Sequence, residues 1–400
     1  MFDRSAALQF WPFAEQGVIY LNHGSFGAVP KPVHAAQQAL QQQLYANPMD
    51  FLTGPHTELM SANRLHIAAL TQADPQGLVL LSGATEGVNT VFSSLQAHGH
   101  FQPGDEILIT SHGYNACNNV ACEVALRTGA QVVEVQLPFP IEDATQIRTL
   151  ISAAVTDKTK LAMIDHISSI QAAIYPIADI VADMKAKGVP ILVDGAHALG
   201  QVPLNLTALD ADFYTGNCHK WFCAPVGAGF LSIAPRWREV MRPLILSHGY
   251  NDPAPQPTRL LKMFGWTGTK DYSAQFVLRE TSAFFDTLMP GGLESVRASN
   301  CALVREGAQI IEDELGWQRT VPDSMSGTMI SFLMPPGDAA LLKQRLRQEH
   351  NMVTQIVVNG WNNQSVLRIS AHAYNQRSDY EKLAQAIKPG FNSSVCYSSS

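Results

Sequence analysis

Val189-Pro-Ile-Leu-Val-Asp-Gly-Ala-His197 decides the fold. The apolar run is short and β-branched, with no polar alternation, so it reads as a strand buried on both faces, the state of strands in a parallel sheet. It ends on Asp194. A carboxylate at the C-terminal end of such a strand stands where open α/β sheets bind their ligands. Outward from this point, from about residue 75 to 235, apolar segments alternate with helical stretches. The segments are Gly77–Leu81, Glu106–Thr110, Gln131–Val135, Leu161–Ile164, Ile191–Val193, Phe213–Thr215 and Gly229–Ile233. That alternation predicts an α/β fold with a mostly parallel sheet covered by helices on both faces.

After Trp266-Thr-Gly-Thr269 the pattern changes to a long helical region, Tyr272 to Leu315, broken at Pro290-Gly-Gly292. Strands over Thr328–Leu333, Met352–Val358 and Val366–Ser370, with helices over Asp338–His350 and Asp379–Ile387, predict a smaller C-terminal α+β module. The expected division is a large domain over 18–270 and a small one over 271–390, the latter joined by the N-terminal segment 1–17, with 391–400 as a frayed tail. The Gln37–Gln43 cluster fits an exposed helix face.

The chain of 400 residues is 46% hydrophobic and 15% charged, with a net charge of -7 and no basic block, which argues against nucleic acid or an anionic membrane and for a small-molecule substrate. No apolar stretch is long enough to span a bilayer, and the N-terminus lacks the basic start of an export signal, so a cytoplasmic protein is expected. The six cysteines are scattered, and the pairs Cys117/Cys122 and Cys218/Cys223 fit no zinc knuckle. Reduced thiols and no metal are expected.

A second motif, Asn217-Cys-His-Lys-Trp221, follows the strand after Asp194 and delivers Lys220 to the same sheet edge. A lysine that can form a Schiff base, with a carboxylate that keeps a pyridine nitrogen protonated, is what pyridoxal 5'-phosphate requires. A third motif, Ser82-Gly83-Ala84-Thr85-Glu86-Gly87, joins a strand to a helix, so backbone N–H groups at the helix start can bind an anion. It has neither the G-x-G-x-x-G spacing of a dinucleotide fold nor the G-K-[ST] of a P-loop, and a cofactor with one phosphate fits best.

Gly83-Ala-Thr-Glu86, Val193-Asp-Gly-Ala-His197, Asn217-Cys-His-Lys-Trp221, Trp266-Thr-Gly-Thr269 and Leu367-Arg-Ile-Ser370 together resemble the class V aminotransferase superfamily of fold type I pyridoxal phosphate enzymes. Leu21-Asn-His-Gly-Ser-Phe-Gly27 resembles its isopenicillin N epimerase-like branch, which also holds carbon-sulfur lyases. The resemblance runs from about Tyr20 to Asn375. It implies that Lys220 carries the Schiff base, that Asp194 partners the pyridine nitrogen and that His197 neighbours the cofactor's phenolic oxygen. Gly83, Ala84, Thr85, Asn217 and His219 would hold the phosphate, and Tyr114, with His112 second, would cover the ring. Arg368 would grip the substrate α-carboxylate, Asn22 and His23 would lie near the substrate, and Thr269 would reach the phosphate of a neighbouring subunit, making the active unit a homodimer with shared sites.

The expected reaction begins with removal of the Cα proton of an amino acid by Lys220. Epimerisation stands slightly ahead of β-elimination from cysteine or a cysteine S-conjugate, with transamination, or a non-catalytic binder on the same fold, as further alternatives. Epimerisation needs a second acid on the face away from Lys220, for which Tyr114, His112 and His23 are the candidates. A desulfurase that hands on a persulfide is disfavoured, because no cysteine lies between Cys301 and Cys396.

Overall fold

The computed structural model describes residues 2–388, so the expected tail at 391–400 lies outside the described residues, as does Cys396. Leu78–Leu81 (β1), Glu106–Thr110 (β2), Gln131–Val135 (β3), Thr159–Asp165 (β4), Ile191–Gly195 (β5), Phe213–Asn217 (β6) and Gly229–Ile233 (β7) form one sheet of seven strands. Their spatial order is β1-β7-β6-β5-β4-β2-β3. The strands from β2 to β6 are mutually parallel, while β7 runs antiparallel between β1 and β6.

Alternate side chains of each strand leave the sheet on opposite sides. Leu78, Leu80, Leu108, Ile164, Ile191 and Val193 therefore enter one core with the helix Ile177–Ala186. Val79, Leu81, Ile107, Met163 and Leu192 enter another, beneath the helices Ala84–Ala97 and Asn115–Thr128. Burial on both faces is the reason these strands read as unbroken apolar runs, and the edge strand β3, with Gln131 and Glu134 exposed, is the one that does not.

Toward the C-terminus a second, smaller sheet forms. Met329–Leu333 (β8), Gln355–Trp361 (β9) and Gln364–Ser370 (β10) form an antiparallel sheet in the order β9-β10-β8, and the helices Gly292–Leu315, Ala339–Gln348 and Arg377–Ile387 pack on it around a separate core. The single strand expected over Met352–Val358 is divided at Thr354. Met352–Val353 pairs in parallel with Ile19–Tyr20, and β9 turns to pair with β10. The N-terminal segment is tied to this module by Arg4, whose guanidinium donates to Ser299 O and Oγ and to His372 O. Helices at Lys31–Ala46, Pro48–Thr53 and His56–Leu70 cover the segment before β1. Among the described residues no helix is long and apolar enough to cross a membrane.

Candidate active site

The C-terminal ends of β4, β5 and β6 and the start of the Ala84–Ala97 helix enclose a cavity of about 270 Å³. Gly83, Ala84, Thr85, Tyr114, Asp194, His197, Asn217, His219 and Lys220 all line it, together with Ser25, Cys117, Asp165 and Ser169. Asp194 and Lys220 thus face one space although they leave neighbouring strands.

Each side chain is held by its local geometry. Asp194 accepts at Oδ1 from Ala196 N at 2.9 Å and at Oδ2 from Cys117 Sγ at 3.3 Å, two donors that fix its orientation. Lys220 Nζ lies 3.0 Å from His197 Nε2, and Trp221 Nε1 lies 3.3 Å from His197 Nδ1. An indole N–H can only donate, so Nδ1 is the acceptor and the imidazole proton resides on Nε2. In the free-amine form of Lys220, Nε2–H can then donate to Nζ. Burial, and then the nearby Arg368 cation, lower the Lys220 amine to about 8, which brings a fraction of free amine within reach near neutral pH. Burial and then Lys220 hold His197 well below the usual histidine range, which keeps its ring neutral.

At the other end of the cavity, Asn217 Oδ1 accepts from Ala84 N at 2.7 Å and fixes the helix start to β6. The next N–H groups of that first turn have no partner within the helix and point toward the cavity, as an anion site requires. A Cβ at Gly83 would come within 3.0 Å of Asn217 Oδ1 and 3.4 Å of His219 Cε1, so glycine keeps this cradle open. Glu86, the acid of that turn, is drawn aside by Ser82 N and Oγ, at 2.7 and 2.5 Å. A phosphate cradle at one end, an amine in the middle and a hydrogen-bonded carboxylate at the other fit pyridoxal 5'-phosphate by the chemistry of the donor set.

Arg368 is buried beside the cavity. Its guanidinium donates to Ser169 O at 2.5 Å, and to Asn22 Oδ1 and Ser25 Oγ at 3.2 Å each. No carboxylate pairs with it among the described residues, and burial lowers it to about 10. Asn22 is therefore a buttress of Arg368. Neither Arg368 nor Asn22 lines the cavity itself, and three further expected residues stand elsewhere. His112 is turned away from the cavity: its Nδ1 meets Tyr175 Oη at 2.9 Å, and its ring packs on Trp361 and Phe139. His23 lies behind the Lys220 backbone, with Nε2 3.0 Å from Lys220 O and Nδ1 2.9 Å from Tyr374 Oη, stacked on His372 in a fully buried group with Cys223. Burial lowers His23 and His112 each to about 4. Thr269 is exposed and does not line this cavity.

Sequence reasoning missed Asp165, Cys117 and Ser169. Asp165 had a signal: it is the residue after Leu161–Ile164 and ends β4 as Asp194 ends the run of β5.

A sequence model of the family described as aminotransferase class-V matches residues 19–383. A putative L-cysteine desulfhydrase 1 of Oryza sativa subsp. japonica is 32% identical, over 95% of this chain and 85% of the relative. An isopenicillin N epimerase of Streptomyces clavuligerus is 33% identical, over 92% of this chain and 94% of the relative. Among solved structures, a C-DES mutant with glycine covalently linked to its PLP cofactor superposes with a TM-score of 0.79 at 20% identity, covering 96% of this chain and 98% of that one, a likeness of fold.

Proposed function

The chain belongs to the aminotransferase class-V family and is a pyridoxal phosphate-dependent enzyme, and on that premise we propose that it removes the Cα proton of an amino acid and expels a sulfur substituent from Cβ. The substrate class is cysteine or a cysteine S-conjugate. One observation carries this reading: Lys220 Nζ, beside His197, is the one amine base in the cavity wall among the described residues, while His112 and His23 are committed to Tyr175 and to the Lys220 carbonyl. β-Elimination needs a single base, whereas epimerisation needs a second acid on the opposite face.

When bound, the cofactor supplies an electron sink for the bond broken at Cα. Lys220, Asp194 and the first turn after Gly83 would hold it. The protein's own part is to place and move protons. Arg368, buried and without a carboxylate partner among the described residues, is the guanidinium for the substrate α-carboxylate, which would take the place of its present acceptors Ser169 O, Asn22 Oδ1 and Ser25 Oγ. Nζ of Lys220 takes the Cα proton and can return it to the departing sulfur. The Cα–H and Cβ–S bonds break, and with one water the products are a thiol or sulfide, pyruvate and ammonia. Cys117, the cysteine of the cavity, is turned onto Asp194, and burial pushes its thiol up, so it stays protonated and is a poor sulfur carrier.

Epimerisation remains the second reading on the strength of Tyr114, the one candidate second acid that lines the cavity. Incubating the enzyme with amino acids and cysteine S-conjugates in deuterated water separates the two. Pyruvate and ammonia are expected. Recovery of deuterated substrate with inverted configuration and no pyruvate replaces the lyase reading with the epimerase one.

A further inference from the structure

Asp165 and Asp194 are opposed in register at the ends of adjacent parallel strands. Both are buried, at 6% and 4% exposure, and both face the same cavity. Neighbouring strands lie about 4.8 Å apart, so two ionised carboxylates there would repel strongly in a poorly hydrated space. Their environments are unequal. Asp194 receives the Ala196 amide and the Cys117 thiol, both of which stabilise negative charge. Neither acid has a Lys or Arg within ion-pair distance among the described residues, and the groups acting on Asp165 are Asp194, Lys220, Cys117 and Tyr175, with His166 next in sequence. Lys220, lowered to about 8, is the one titrating cation that acts on Asp165 and it opposes the rise, while His166 Nδ1 is engaged with Tyr214 Oη at 2.8 Å, so two buried carboxylates share at most one partly charged amine.

We propose that Asp165 is a positioning residue for Asp194: it retains a proton on its carboxyl and so leaves one negative charge, on Asp194, to face a bound cationic heterocycle. Burial, and then the charge on Asp194, push the Asp165 carboxyl well above the usual carboxylate range, in the same direction. A neutral acid at this place leaves Asp194 to its bonds with Ala196 N and Cys117 Sγ without doubling the charge that the cofactor nitrogen meets. The proposal rests on the pyridoxal phosphate reading for its consequence, but the protonation state of Asp165 can be observed without the cofactor.

The test compares the full chain with Asp165→Asn and Asp165→Ala, each with and without pyridoxal phosphate at pH 7. Infrared difference spectra of the cofactor-free wild type against D165N are expected to lose the carbonyl stretch of a protonated acid. Loss of a carboxylate band instead overturns the proposal. Equilibrium binding is expected to keep D165N within about twofold of wild type and to weaken D165A by about tenfold, because the amide preserves the neutral shape and alanine does not. Equal weakening in both variants means that charge at 165 was required, and no weakening in either means that Asp165 does not position Asp194; each overturns the proposal. If wild type takes up no pyridoxal phosphate, the parent reading has failed, and the infrared result still decides the state of Asp165.

Discussion

Lys220 shows most directly how one side chain joins chemistry to stability. An unfolded lysine titrates near 10.4, whereas in the fold burial and Arg368 lower Lys220 to about 8. Between these values the unfolded chain binds more protons, so the stability of the cofactor-free protein rises with pH from about 8 to about 10.4, and below 8 the fold bears the full cost of a buried ammonium. The same shift leaves a usable fraction of free amine near neutral pH. Replacing Lys220 by Met keeps the apolar stem and removes the titrating head. The cofactor-free K220M protein is therefore expected to be more stable than wild type at pH 7, by no more than about 3 kcal/mol, with the difference vanishing above about pH 10. Urea unfolding across that range measures it, and a destabilised variant at pH 7 contradicts the lowered titration of Lys220. Lys220 and Asp194 were legible because each follows an apolar run that can only be a buried strand. Asp165 follows such a run as well, but its meaning comes from facing Asp194, and strand register is absent from a sequence. His112 and Tyr114 sit two residues apart after β2, and only the path of the Ser111–Gly113 turn sends the first to Tyr175 and the second to the cavity.

At the scale of elements, the parallel strands were readable because burial on both faces leaves the apolar run unbroken, and edge strand β3 still carried Val132, Val133 and Val135. The helix at Lys31–Ala46 was readable only at the Gln37–Gln43 cluster and the one at His56–Leu70 not at all, since much of each surface is exposed and polar and neither start has a side-chain cap. The short turn after His23–Phe26 shows an element serving the site from a distance. Gly27 has φ +75, and a Cβ there would lie 1.9 Å from His219 O and 2.9 Å from Lys220 O. The glycine lets the N-terminal segment press on the backbone of the lysine loop, which His23 also holds through Lys220 O. Gly27→Ala meets backbone, which has no rotamer to yield, and adds left-handed strain. It is expected to cost about 2 kcal/mol in denaturant unfolding and to weaken cofactor retention measured by dialysis. A fully stable variant with normal cofactor content would show that the lysine loop does not depend on this contact.

For the whole molecule, the surface around the cavity mouth is the informative feature. Phe26 and Tyr114 line the cavity and are 73% and 49% exposed. Thr269 lies outside the cavity of its own chain, although the sequence reading gives it a phosphate. Both facts fit an assembly in which a second copy covers the mouth and lends Thr269 across a twofold axis, an arrangement in which each lending contact occurs twice. Mixing two inactive variants tests it. Lys220→Ala destroys a chain's own cavity but leaves its Thr269 intact, and Thr269→Glu sets a negative charge against a phosphate. If Thr269 acts on the neighbouring cavity, a hybrid dimer holds one site with Lys220 from one chain and Thr269 from the other, free of both lesions. Refolding the variants together at equal amounts makes half the dimers hybrid, each with one of two sites working, so about a quarter of wild-type activity should return. If Thr269 serves its own chain, or the protein is a monomer, every site keeps a lesion and mixing restores nothing. Sedimentation separates those two outcomes, because only the first retains the mass of a dimer.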